Sequence, residues 1–267
     1  MSNTLTFTLV QTNLSWEDKA SNLQVLQQKI VGIQEPTEVI VLPEMFSTGF
    51  SMQPQKFAEN MDGTTVQWMK QMAIQKRAII TGSFIAEENG HYFNRLVWML
   101  PNGQFGYYNK RHCFGFAGED KHYTPGNKRL IAQVKGWKIN LQVCYDLRFP
   151  VWARQSCANK EQHEPEYDVL LYVANWPERR SHPWKSLLTA RAIENQCYVV
   201  GLNRVGTDGN DIYHSGDSMV IDALGQTMYY KAHDEDVHTI TLHKDVLEET
   251  RSKFPFLKDA DVFRIEG

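Results

Sequence analysis

The sequence predicts an α/β fold, and three observations carry that prediction. Strand-length β-rich runs alternate with helix-length amphipathic segments from end to end. Tyr167-Asp168-Val169-Leu170-Leu171-Tyr172-Val173 is almost continuously apolar, as expected of a strand covered on both faces. Reactive side chains stand just past strand-like runs, where open α/β sheets place their ligands.

Taken in order, residues 6–10 alternate like a strand. From Asp18 to Ile33, the residues Leu23, Leu26, Ile30 and Ile33 share one helical face. Residues 38–42 form the next strand, and residues 64–78 a helix with Val66, Met69, Met72 and Ala73 along its stripe. A strand at 79–84 follows. Strands at 93–100 and 105–109 are then joined through Pro101-Asn102-Gly103-Gln104, where Asn-Gly is a hairpin signal. Residues 138–144 read as a strand, 150–158 as a helix and 161–166 as a charged surface loop. Trp184, Leu187, Leu188 and Arg191 share a helix face that leads into a strand at 197–202. Runs at 218–222 and 237–242 complete the strands. There is no internal repeat and no linker rich in Pro, Gly or Ser, so residues 1–267 are expected to form one domain.

The chain can bury a sizeable core, and its 42% hydrophobic and 22% charged residues are an ordinary globular balance. A formal charge of −3 without a basic block gives nucleic-acid binding no support. The apolar stretches are strand-length, too short to cross a bilayer as helices. Met1-Ser2-Asn3-Thr4-Leu5 lacks the regions of a secretory signal, and four irregularly spaced cysteines read as reduced thiols. A cytoplasmic protein is expected. His233, His238 and His243 recur every five residues, a spacing that puts them on no common face, and Asp208-Gly209-Asn210-Asp211 reads as a turn. No phosphate-binding glycine loop is present, so neither a metal nor another cofactor is expected.

Cys144 closes the apolar run 139–143 and is followed by Tyr145-Asp146-Leu147-Arg148-Phe149-Pro150, which places a thiol on a strand-to-helix turn. Glu44 follows the strand ending Leu42-Pro43, and Lys110 follows Tyr107-Tyr108-Asn109. A cysteine attacks best as thiolate, which needs a base or a positive neighbour. Glu44 suits the base and, on the return step, the acid; Lys110 suits stabilisation of thiolate and oxyanion. The Tyr145 backbone N–H is a natural second oxyanion donor. Together these parts describe acyl transfer from an amide through a thioester completed by water. Each residue also has an ordinary reading: a small buried thiol, a solvated loop carboxylate, a surface lysine. His112 offers a papain-like partner for Cys144, although Lys110 and Glu44 make the more complete arrangement.

Leu42-Pro43-Glu44, Tyr108-Asn109-Lys110-Arg111-His112 and residues 143–150 resemble, in order, the signature segments of the nitrilase superfamily of carbon–nitrogen hydrolases. Tyr123-Thr124-Pro125-Gly126, residues 190–195 and Asn203-Arg204-Val205-Gly206 extend the likeness over essentially the whole chain. The resemblance implies Glu44 as general base, Lys110 as oxyanion stabiliser and Cys144 as nucleophile. It further implies a second glutamate, matched by Glu119, that positions the lysine or the substrate. It implies a four-layer α-β-β-α sandwich that pairs as a homodimer or higher even oligomer. The tail of residues 252–267, with Phe254, Phe256, Leu257, Val262 and Phe263, suits such an interface or folding back on its own subunit.

Asn175-Trp176-Pro177 together with residues 146–150 most resembles the omega-amidase branch. That branch hydrolyses the terminal amide of 2-oxo dicarboxylic acid monoamides such as 2-oxoglutaramate and 2-oxosuccinamate, releasing ammonia. The alternatives are another amidase of the superfamily (deaminated glutathione, N-carbamoyl or aliphatic amides) or a non-catalytic scaffold. A substrate with a distal carboxylate calls for a cation, and Arg148 is the candidate, its other reading being a structural pair with Asp146 or Glu194. Phe116 and Trp176 are candidate apolar walls. Pro183 stands before Trp184 where related sequences often have His, which leaves that wall's shape open.

Overall fold

The computed structural model describes residues 2–155, 165–261, 263 and 265. The first half contains β1 (Thr4–Gln11), α1 (Lys19–Gly32), β2 (Val39–Val41), α2 (Pro54–Phe57), α3 (Thr64–Lys76), β3 (Ile79–Glu88), β4 (His91–Met99) and β5 (Phe105–Asn109). Next come α4 (Glu119–His122), β6 (Ile131–Val134), β7 (Trp137–Val143), α5 (Pro150–Ala153) and β8 (Val169–Ala174). The chain continues through α6 (Ser181–Asn195), β9 (Tyr198–Asn203), β10 (Val205–Thr207), β11 (Tyr213–Ile221), β12 (Thr227–Ala232), β13 (Asp236–His243) and α7 (Lys244–Lys253).

These strands form two sheets, ordered β13-β1-β2-β3-β4-β5 and β10-β11-β9-β8-β7-β6, with β12 paired to β11. The centre of each sheet is parallel: β1-β2-β3 in the first and β7-β8-β9 in the second. One face of each sheet turns toward the other. Phe7, Leu9, Val41, Leu96 and Trp98 pack with Leu141, Val143, Leu171 and Val173 in a single core. The outer face of the first sheet is covered by α1 and α3, where Leu26, Ile30, Met69 and Met72 meet Ile40, Leu42 and Ile80. On the second sheet α6 supplies Trp184, Leu188 and Ala192. The result is the expected α/β sandwich of two sheets flanked by helices.

Local chemistry sets the boundaries. Asp18 caps α1 by accepting the Ser21 N–H at 3.0 Å, and Glu59 accepts the Thr65 N–H at 2.8 Å in the first turn of α3. Leu100 and Gln104 close the β4–β5 hairpin with an N–H to carbonyl bond of 2.8 Å. A tighter hairpin joins β3 to β4 through Asn89-Gly90, both with positive φ, 53° and 76°.

Several expectations need correction. The helix placed at 150–158 spans only Pro150–Ala153, because Arg154 turns extended (φ −60°, ψ 132°); residues 156–164 lie outside those described. Strands β6, β10 and β12 were not expected. β12 is an edge strand with no buried residue, so it has no apolar alternation to reveal it. In the tail Leu257 is buried while Phe256 is exposed, and Val262 is outside the described residues.

Candidate active site

The carboxyl ends of strands from both sheets meet at one place. Glu44 follows β2, Lys110 follows β5, Cys144 follows β7 and Asn175 follows β8. The cysteine backbone adopts a left-handed φ of 44°, unusual for a residue with a side chain and typical of a sharp strand-to-helix elbow. Asp146 sustains that elbow. Its Oδ2 accepts the Val143 N–H at 3.0 Å and the Tyr108 hydroxyl at 2.8 Å; its Oδ1 accepts the His112 N–H at 2.9 Å. Since Tyr108 is on β5 and His112 follows Lys110, one carboxylate ties the Cys144 turn to the lysine strand.

Glu44, Lys110 and Glu119 are buried together, at 0%, 1% and 0% exposure. Lys110 Nζ donates to Glu44 Oε1 at 2.9 Å and to both Glu119 oxygens at 2.8 and 3.0 Å. Asn94, buried on β4, bridges the same carboxylates, donating from Nδ2 to Glu44 Oε1 at 2.8 Å and Glu119 Oε1 at 3.1 Å. The Phe114 N–H also donates to Glu119. Glu44 Oε2 accepts the Asn175 N–H at 2.7 Å, and the Cys144 thiol points to the Asn175 carbonyl oxygen at 4.0 Å.

Electrostatics follow from this crowding. Burial alone would pull the Lys110 ammonium down, but Glu119, then Glu44, hold it well above the ordinary lysine range. The Cys144 thiol is pushed well up, first by burial and then by the charge of Glu44, with Lys110 acting the other way. Burial also raises the Glu119 carboxyl; Lys110 opposes this and Glu44 adds to it. The site therefore favours a charged lysine and a protonated thiol next to Glu44. Such an arrangement can move a proton from sulfur to Glu44 as the sulfur attacks, rather than storing a free thiolate.

Cys144 opens onto a cavity of about 330 Å³. Tyr145, Arg148, Phe116 and Trp176 line it, so these sequence candidates do gather around the thiol, with Glu44, Lys110 and Glu119 behind it. Trp176 is a buried wall. Phe116, at 82% exposure, stands at the mouth and does not seal it as an inner wall would. Arg148 lies over the Trp176 ring, 5.0 Å from its centroid. The structural pairs considered for it are not made: Asp146 is engaged as above, and Glu194 pairs with Arg191 at 3.0 Å. His112 is committed to Asp146 at 2.8 Å and stacks on Phe149. Sequence reasoning missed Asn94 and Arg180, and it read Asn175 only as part of a motif. Asn94 sits beside Arg95 and near His91 on β4, so its polarity does not single it out in the sequence.

The carbon-nitrogen hydrolase family pattern matches residues 6–252. The chain is 44% identical over 262 residues to omega-amidase YafV of Escherichia coli strain K12, covering 98% of each protein. It is 28% identical to 2-oxoglutaramate amidase of Bacillus subtilis strain 168, over 95% of this chain and 96% of that protein. Among solved structures, XC1258 of Xanthomonas campestris, a CN-hydrolase superfamily protein with an arsenic adduct in its active site, superposes with a TM-score of 0.96. It is 42% identical and covered over 100% of its length by 99% of this chain. With the fold, the matched segments and these relatives agreeing, the chain belongs to the carbon-nitrogen hydrolase family, within the nitrilase superfamily.

Proposed function

We propose that this enzyme hydrolyses the terminal amide of 2-oxo dicarboxylic acid monoamides, 2-oxoglutaramate and 2-oxosuccinamate, to the dicarboxylic acid and ammonia. The observation that carries the reading is a thiol backed by a buried Glu-Lys-Glu cluster and facing an apolar cavity with a carboxylate-free guanidinium, Arg148. The names of the relatives above support the same substrate class. A neutral aliphatic amide or nitrile would leave that guanidinium unmatched.

In this reading Cys144 Sγ attacks the amide carbon while Glu44 takes the thiol proton. The Glu44 oxygens are not equivalent. Oε1 already accepts from Lys110 and Asn94, whereas Oε2 accepts one backbone N–H from Asn175 and keeps room for the proton. Lys110 holds Glu119 through both oxygens, so one ammonium N–H can turn to the oxyanion without losing the ion pair. The Tyr145 N–H is the second oxyanion donor. Glu44 returns the proton to the departing nitrogen, ammonia leaves and a thioester remains. Water then adds with Glu44 as base, and collapse frees the acid and the thiol. Arg148 holds the distal carboxylate, Trp176 flanks the short carbon chain and Phe116 stands at the cavity mouth.

The reading further places the chain in the cytoplasm as one domain assembled into a homodimer or higher even oligomer. The exposed Phe256 in the tail is a candidate contact. The test is direct. Incubation with 2-oxoglutaramate should release ammonia stoichiometrically with 2-oxoglutarate; no release by the folded protein overturns the substrate assignment.

A further inference from the structure

Two half-buried guanidinium groups, those of Arg148 and Arg180, face the cavity beside Cys144. Arg148 rests over Trp176, and Arg180 rests over Phe114, 5.2 Å from the ring centroid. The two platforms are joined, since the Trp176 indole N–H donates to the Arg180 carbonyl at 2.7 Å. Both arginines are half-buried, and among the described residues neither forms an ion pair with a carboxylate. Arg179 adds a third cation at the exposed rim. Asp208 lines the same cavity, but its Oδ1 accepts the Asn210 and Ile212 N–H groups at 2.8 and 3.1 Å. Burial, then the cations Arg179 and Arg148, draw the Arg180 guanidinium below its usual range, while Cys144 acts the other way.

Unpaired, partly desolvated cations on one wall repel each other until an anion or strong acceptor arrives. A single distal carboxylate occupies one guanidinium fork. A 2-oxo acid presents more: a carboxylate and an adjacent carbonyl, both acceptors only, matched to groups that only donate. The corresponding 2-amino acid instead places an ammonium beside a guanidinium, a like-charge contact in a poorly solvated space. Building on the proposed function, we propose that Arg180 is a specificity-determining residue that, together with Arg148, receives the 2-oxo acid end of the substrate and excludes the 2-amino analogue. The pocket thereby separates 2-oxoglutaramate from glutamine, two amides of almost equal size.

Steady-state kinetics of the wild type, Arg180→Met and Arg180→Lys on three amides test this: 2-oxoglutaramate, glutaric acid monoamide (no substituent at C2) and glutamine. Arg180→Met should raise KM for 2-oxoglutaramate about 10- to 100-fold with kcat within about threefold, the size expected for one charged hydrogen-bonding partner. Glutaric acid monoamide should change little, and the kcat/KM preference for 2-oxoglutaramate over glutamine should narrow at least about tenfold. Arg180→Lys should recover part of the preference. Equal losses on 2-oxoglutaramate and glutaric acid monoamide, or an unchanged preference over glutamine, overturn the proposal. Should Arg180→Met fail to fold, the same ratios are read from Arg180→Lys. If the wild type hydrolyses another amide but not 2-oxoglutaramate, the substrate reading falls and this proposal with it. Wild-type turnover of 2-oxoglutaramate with unaltered selectivity in the variants removes only the role of Arg180.

Discussion

Asn175 holds Glu44 from the opposite sheet: its backbone N–H donates to Glu44 Oε2 at 2.7 Å while its side-chain amide donates to the Glu44 carbonyl oxygen. The carboxylate proposed as base is thus aimed by a strand other than its own. Its second oxygen is meanwhile saturated by Lys110 and Asn94. The orientation of the base follows from this division of donors.

Removing the base charge should uncouple thiol reactivity from turnover. Beyond burial, the charge of Glu44 raises the Cys144 thiol. Glu44→Gln therefore lowers the pH at which the thiolate forms, so alkylation by iodoacetamide near pH 9 should run faster than in the wild type. Turnover should nevertheless fall by about 10²–10⁴-fold, because the proton shuttle is gone. Slower alkylation in the variant would contradict the assigned direction.

Asn94 should matter to rate more than to binding. Its amide joins Glu44 to Glu119, and neither contact reaches the cavity lining. For Asn94→Ala the expected loss is about 10- to 100-fold in kcat with KM nearly unchanged, corresponding to about 1–3 kcal/mol for donors lost from buried carboxylates. A change confined to KM would show that Asn94 acts on substrate binding instead.

Asp146→Ala should be among the more destabilising single substitutions. It strands the Val143 and His112 N–H groups and the Tyr108 hydroxyl, all of which converge on one fully buried carboxylate. A loss of about 3 kcal/mol or more in urea unfolding is expected, together with loss of activity from a relaxed Cys144 elbow. Stability within 1 kcal/mol of wild type would rule out this network as the elbow's support.

His214 gives the protein an acid-sensitive range. Burial, then the charge of Arg204, lower its imidazole from 6.5 to about 4. The unfolded chain binds this proton more readily, so stability is fully present above about pH 6.5 and declines as pH falls toward 4. The loss from this one group approaches about 3 kcal/mol at the bottom of the window. Replacing His214 by Gln should flatten the pH dependence of the unfolding midpoint between pH 4 and 6.5, which thermal melts across that range will read.

How legible the molecule was depended on how local each signal is. Cys144, Glu44 and Lys110 were visible because an apolar run that stops abruptly marks a strand end, and the residue beyond it is conspicuous. Glu119 lacked such a marker and came only from the family resemblance; its place on a four-residue helix has no periodicity to show. Asn94 was hidden for a different reason. Its partners lie 50 residues upstream and 25 downstream, so nothing near it in the chain states its purpose. Arg180, in a run of charged residues after Pro177, looks like surface until Phe114 is seen beneath it. Strands β6, β10 and β12 escaped because short edge strands bury too little to alternate.

The inter-sheet core has one more consequence. The proposed base, Glu44, is rooted in the first sheet and the proposed nucleophile, Cys144, in the second, and the apolar layer of Phe7, Leu9, Val41, Leu141 and Val173 sets their separation. Catalytic competence is therefore a gauge of how tightly the two halves of the sandwich are pressed together. Under mild denaturant, turnover should fade while each sheet still retains its hydrogen-bonded ladder. An assay of ammonia release then doubles as a sensor of sheet separation, reporting loosening before circular dichroism registers any loss of strand.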